Sequence, residues 1–175
     1  MEIKKILKEN TEIYLQILKD AKDGDPISQL KLGRLYLKGI YFDKNKDLGI
    51  YYIKKSAMSG NSNAQNTLGE RYYEGADIDK NLYAAFMWYT KSADQGNLCG
   101  KYNQGWCYYM GEGTQKNLKK AYENFSFASE KGDIISKNMM GIFYQKGLYV
   151  KQNKKKSLEY FTESAERGDI EGQFN

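Results

Sequence analysis

Apolar residues recur along this chain at the spacing of one helix face, and glycines cut the pattern into equal lengths. Ile3, Ile6, Leu7, Ile13, Leu15, Ile17 and Leu18 follow near-helical spacing and predict a helix over residues 3–22. Beyond it, Leu32-Gly33-Arg34-Leu35-Tyr36 returns 36 residues later as Leu68-Gly69-Glu70-Arg71-Tyr72. It returns again as Gln104-Gly105-Trp106-Cys107-Tyr108 and as Met140-Gly141-Ile142-Phe143-Tyr144, with the glycine and the tyrosine unchanged. A fixed period of this size means stacked supersecondary units.

The punctuation gives each unit two helices. Gly24, Gly60, Gly96, Gly132 and Gly168 are in phase, each followed by Asp or Asn. Glycine just past a helix end and an Asx cap for the next helix describe a tight helix-to-helix turn. Pro26, the only proline, falls at a first helical position, where its missing amide hydrogen costs nothing. Inside each unit Gly39, Gly75, Gly111 and Gly147 end a first helix, and Asn45, Asn81, Asn117 and Asn153 cap a second. First helices are predicted near 26–38, 62–74, 98–110 and 134–146, and second helices near 46–59, 82–95, 118–131 and 154–167. The organisation expected is a capping helix over 1–24, repeats at 25–60, 61–96, 97–132 and 133–168, and the start of a truncated repeat at 169–175, all in one solenoid domain.

The mid-helix glycines carry a packing message. Each costs about 1 kcal/mol against alanine, so Gly33, Gly69, Gly105 and Gly141 predict a close approach by a neighbouring helix. Tyr52, Trp88, Tyr160, Tyr89, Phe125 and Phe161 on the second helices read as core.

This pattern resembles the Sel-one-like repeat (SLR) family, relatives of tetratricopeptide repeats. The second repeat carries the resemblance best, from Ala64, Leu68, Gly69, Tyr72 and Gly75 through Ala85, Trp88, Tyr89, Ala93 and Gly96. It covers residues 13–175. Gln104 stands where leucine is expected and Asn124 where an aromatic is expected, so repeat three is predicted to be looser. Gln29, Gln65, Lys101 and Lys137 occupy the tryptophan position of tetratricopeptide repeats proper, which favours the SLR reading. The resemblance implies an all-α, right-handed superhelix of antiparallel helix pairs whose role is to hold other proteins. Some relatives are described as hydrolases of β-lactam-like substrates, and a partner-specific antagonist is a further alternative.

Composition narrows the chemistry. The 175 residues include no histidine and carry a net charge of +5. Missing histidine removes Ser-His and Cys-His nucleophile systems and most zinc sites. No carboxylate pair has an activating partner, so no enzyme activity, metal or cofactor is expected. Cys99 and Cys107, eight apart on one helix, lie ~12 Å apart along its axis, beyond the roughly 7 Å a disulfide allows. In secreted SLR relatives paired cysteines join one repeat's second helix to the next repeat's first, positions these two do not hold. The lysine runs at 116–120 and 151–156 read as solvated edges, and +5 over the whole chain does not point to nucleic acid. No run approaches the ~20 apolar residues of a membrane span, and residues 1–18 lack the apolar core of a signal peptide. The localisation expected is cytoplasmic, with secretion by a signal-less route left open.

The candidate site is the concave groove that stacked helix pairs create, lined by first-helix positions that are in phase yet vary. In repeats one and two these are charged or polar: Lys31, Arg34, Lys38, Asn66, Glu70, Arg71 and Glu74. In repeats three and four they are Tyr102, Asn103, Trp106, Tyr109, Met110 and Ile142. Exposed Trp, Tyr and Met are what binding hot spots use; the alternative is that those of repeat three fill space left by Gln104. The partner expected is a protein or peptide with a charged end and an apolar anchor, and the edge after residue 168 is open to self-association.

Overall fold

The computed structural model describes the backbone of residues 2–172 and the side chains of residues 11–166. Among the described residues there are nine helices and no strand. They are α1 (Glu2–Asp23), α2 (Pro26–Lys38), α3 (Lys46–Met58), α4 (Ser62–Glu74), α5 (Leu82–Asp94), α6 (Leu98–Met110), α7 (Leu118–Glu130), α8 (Ile134–Lys146) and α9 (Lys154–Gly172). The first helices α2, α4, α6 and α8 start and stop where the phase predicts. Among the described residues no helix is long and apolar enough to cross a membrane. The chain forms two compact units, one ending at Asn81 and one beginning at Leu82. In the first, α1, α2, α3 and α4 pack each on the next; in the second, α5 to α9 do the same.

The caps are made by the residues that predict them. Asp25, Asn61, Asn97 and Asp133 accept from the backbone amides of Ser28, Ala64, Gly100 and Ser136 at 2.6–3.0 Å. Asn45, Asn117 and Asn153 do the same for the second helices α3, α7 and α9. Gly24, Gly60, Gly96 and Gly132 all have positive φ. The exception is Gly168, expected to stop α9, since the helix runs on to Gly172. Glycine permits the left-handed stop and does not compel it. Residues 173–175 of the expected truncated repeat lie outside the described residues.

Close helix approach explains Gly33, Gly105 and Gly141 among the mid-helix glycines. A Cβ at Gly33 would sit 2.8 Å from both the Gly49 carbonyl oxygen and Ile53 Cγ1. One at Gly105 would meet Phe125 Cε1 at 2.9 Å, and one at Gly141 would meet Phe161 Cε1 at 2.5 Å. Polar side chains tie helices within and between repeats. Ser56 and Ser164 hydroxyls donate to the first-turn carbonyls of Pro26 and Ile134. The Gln29 and Gln65 amides donate to the carbonyls of Ala21 and Ala57 on the preceding second helix.

Repeat three is not loose. Gln104 is buried and donates to Thr90 Oγ1 at 3.0 Å. Asn124 is buried and donates to the Lys120 carbonyl at 2.9 Å. Around them Phe125, Phe143, Met139, Met140 and Ala121 form the core of the second unit. Cys107 is buried, and burial pushes its thiol up to about 12, which makes it inert. Cys99 is exposed, and no disulfide joins the two.

One phased feature escapes a reading of residue types. Tyr41, Asp77, Gly113 and Tyr149 are 36 residues apart and all have φ between 62° and 70°. A side chain in that region costs roughly 1–2 kcal/mol. Tyr41 offsets it by stacking on Tyr14 at 4.7 Å, and Tyr149 by packing on Tyr122 at 5.5 Å. At Gly113 a methyl group would overlap the Leu82 carbonyl, so only glycine fits.

Candidate functional site

In the first unit, α2 and α4 and the loops after them frame an open cleft of about 370 Å³. Its walls carry Arg34, Lys38 and Lys44 on one side and Thr67, Glu70, Arg71 and Asp77 on the other, with Leu37 beside them. Arg34 Nη2 donates to Thr67 Oγ1 at 2.9 Å, which fixes the guanidinium against α4. Arg71 reaches Glu74 and Asp77 at 3.7 Å each. Those separations exceed hydrogen-bond length, and partly exposed pairs of this kind contribute little. Glu70 is half-buried, and burial raises its pKa against the opposing hydrogen bond from Asn66 at 2.8 Å.

Arg34, Lys38, Glu70 and Arg71 therefore line one cleft. Lys31 and Glu74 are exposed but do not line the cleft. Asn66 does not face solvent; it is buried, as are its neighbour Thr67 and the phased Leu30 and Met139. Leu30, Asn66 and Met139 are packed into the stack, so variability there is not exposure, while Thr67, though buried, closes the cleft wall. Lys44 and Asp77 were missed. Lys44 has phased counterparts in Lys80 and Lys116, and Asp77 sits at the left-handed loop position.

In the second unit, α6 carries an aromatic row. Tyr102 stacks on Trp106 with centroids 6.5 Å apart, and Trp106 meets Tyr109 at 5.8 Å. Tyr102 also packs on Phe125 at 5.7 Å, and Tyr109 on Phe143 at 5.9 Å. Tyr102, Asn103, Trp106, Tyr109 and Ile142 are accordingly half-buried rather than fully open. Met110, 48% exposed, is the open end of the row. The same side chains thus seal the core with one edge and offer apolar surface with the other.

A second cleft of this unit, about 310 Å³, lies among Ser129, Glu130, Lys137, Lys156, Glu159, Tyr160 and Glu163. Lys137 is buried there and ion-paired to Glu163, which satisfies its charge within the protein. The lysine runs do not lie wholly in loops as expected but reach into the first turns of α7 and α9, where they are exposed; Lys120 lies 5.1 Å over the Tyr108 ring and Lys156 5.1 Å over Tyr144. Among the described residues no cluster of three or more Cys, Asp or Glu side chains is placed to hold a metal ion.

Comparison with known proteins bears on what these surfaces are for. The Sel1 repeat profile matches residues 26–61, 62–97, 100–133 and 134–169. No curated protein matches the chain. A protective antigen present in uropathogenic Escherichia coli strains, displaying an SLR fold, is 27% identical with a TM-score of 0.85. That alignment covers 89% of this chain and 33% of the antigen, so the chain spans about a third of its length. A Sel1 repeat protein from Oxalobacter formigenes is 31% identical with a TM-score of 0.78, covering 89% of this chain and 70% of that one. Helicobacter pylori cysteine rich protein B is 25% identical with a TM-score of 0.56, over 77% of this chain and 94% of that one.

Proposed function

Because the chain belongs to the Sel1 repeat family, whose members commonly act as protein-interaction modules, we propose that it is a non-enzymatic adaptor holding a protein or peptide on its first-helix surfaces. The observation that carries this reading is the contrast among equivalent positions. The glycines, tyrosines and caps hold from repeat to repeat because the stack needs them. First-helix positions outside that set change from Arg34, Lys38, Glu70 and Glu74 to Trp106, Met110 and Ile142. Trp106 and Ile142 pack against the core with part of their surface, whereas Met110 stands exposed, and recognition of a partner accounts for the surface that packing leaves open. Met110 and the open edges of Trp106 and Tyr109 supply the apolar anchor, since desolvated aromatics and thioethers dominate binding energy while rim charges contribute less.

The test is the affinity of a captured partner for matched variants. Trp106→Ala and Met110→Ala are expected to weaken binding, Trp106→Ala by about 2 kcal/mol or more on the hot-spot scale. Thermal melts separate binding from folding. Because Trp106 also packs on the core, some loss of stability is expected, whereas Met110→Ala leaves the melt unchanged. Unaltered affinity in both variants contradicts the assignment of this surface.

A further inference from the structure

The cleft on α2 and α4 is lined by an arginine, Arg71, whose guanidinium is under-engaged. Arg71 Nε is buried and has no hydrogen-bond partner, while the Nη atoms reach Glu74 and Asp77 only at 3.7 Å. Nε is shut away from solvent, so it is the outer edge of the guanidinium, Nη1 and Nη2, that can present two N–H groups to the two oxygens of a carboxylate. Arg34, Lys38 and Lys44 add three more cationic groups to the cleft, against the carboxylates of Glu70 and Asp77. We propose that this cleft takes a carboxylate side chain of an acidic peptide, gripped by the Arg71 fork and drawn in by Arg34, Lys38 and Lys44. The proposal rests on the adaptor reading and names the partner's chemistry at one of its surfaces.

Asp77 supports the assignment. Its counterparts Tyr41 and Tyr149 use the same left-handed position to stack on a preceding helix, and Gly113 carries no side chain there. Asp77 instead places a carboxylate opposite Arg71. Backbone strain of this kind persists where the surroundings over-determine it, commonly at binding sites. Here it orients a guanidinium without saturating it. The acids also set the charge of the guest. With Glu74, which pairs with Arg71 at the edge of the cleft, four cations face three anions and leave one positive charge for one carboxylate to offset, while a dianionic phosphate would face Glu70 and Asp77 at close quarters. Leu37 gives the methylenes of a glutamate an apolar contact.

The experiment is fluorescence anisotropy with the full chain and a labelled hexapeptide of alternating Glu and Gly. The same peptide with Gln in place of Glu, and one with phosphoserine, serve as comparisons. The Glu peptide is expected to bind at least roughly tenfold tighter than the Gln peptide, with a preference that shrinks at high salt. Arg71→Gln removes the preference, and Arg71→Lys restores only part of it, because an ammonium offers no fork. Lys38→Gln and Lys44→Gln, both exposed, weaken the Glu peptide without disturbing the fold. Lys151→Gln, an exposed lysine outside the cleft, changes nothing. Equal binding of the Glu and Gln peptides overturns the proposal. So does an intact preference in folded Arg71→Gln, or an equal loss in Lys151→Gln, which would mean diffuse charge attraction. Tighter, Arg71-dependent binding of the phosphoserine peptide replaces the carboxylate by a phosphate. Any of these outcomes leaves the adaptor reading standing if Met110 and Trp106 variants still release a captured partner.

Discussion

Phe143→Ala is expected to cost about 3–5 kcal/mol of stability, the range for emptying a buried aromatic site. Phe143 on α8 is fully buried, and its ring lies 5.9 Å from those of Tyr109, Tyr122 and Phe125. It joins α6, α7 and α8, so no single neighbour can relax into the space it leaves. Helix packing is dense, and each lining ring forfeits dispersion contacts on one side. Urea unfolding followed by tryptophan fluorescence reads this directly, because both tryptophans, Trp88 and Trp106, lie after Leu82. A loss below about 1 kcal/mol, within the range of ordinary surface substitutions, would show that Phe143 is not central to the packing of this unit.

Gly33→Val tests the other device of the fold, the helix crossing without side chains. The first atom added would lie 2.8 Å from a backbone oxygen, Gly49 O, and 3.1 Å from the Ile53 amide nitrogen. Flexible side chains give way under overpacking, which then costs about 1–3 kcal/mol. Backbone atoms in a helix do not, so the loss is expected at or above the top of that range. Gly33→Ala should be smaller but still destabilising, even though alanine favours helix by about 1 kcal/mol. Circular dichroism melts of the two variants check the order. Stabilisation by Gly33→Ala would mean that α2 and α3 are farther apart than the packing requires.

The repeat phase made most of the fold legible. Glycine followed by Asp or Asn encodes a stop and a start on adjacent residues, and this local chemistry is carried out at Asp25, Asn61, Asn97 and Asp133. Gly168 was misread because a stop glycine permits a turn without forcing one. The candidate site was legible in part. Arg34, Lys38, Glu70 and Arg71 share a cleft because in-phase and near-phase positions of adjacent first helices stack. Asn66 was misplaced because burial depends on the next helix in space, which residue types on one helix do not report. Gln104 and Asn124 looked like weak points, yet each finds a hydrogen-bond partner that the repeat pattern does not encode. Asp77 was invisible until its φ placed it in register with Tyr41, Gly113 and Tyr149.

The central claim is that partners bind the first-helix faces and not the second-helix faces. Site-specific photo-crosslinking in the native host tests it most directly. A photoreactive side chain is placed at Arg34 or Met110 on first helices, and at Met58 or Glu123 on the exposed side of α3 and α7. Discrete partner adducts from positions 34 and 110, with none from 58 and 123, are the result predicted. Adducts from 58 and 123 with none from 34 and 110 would contradict it.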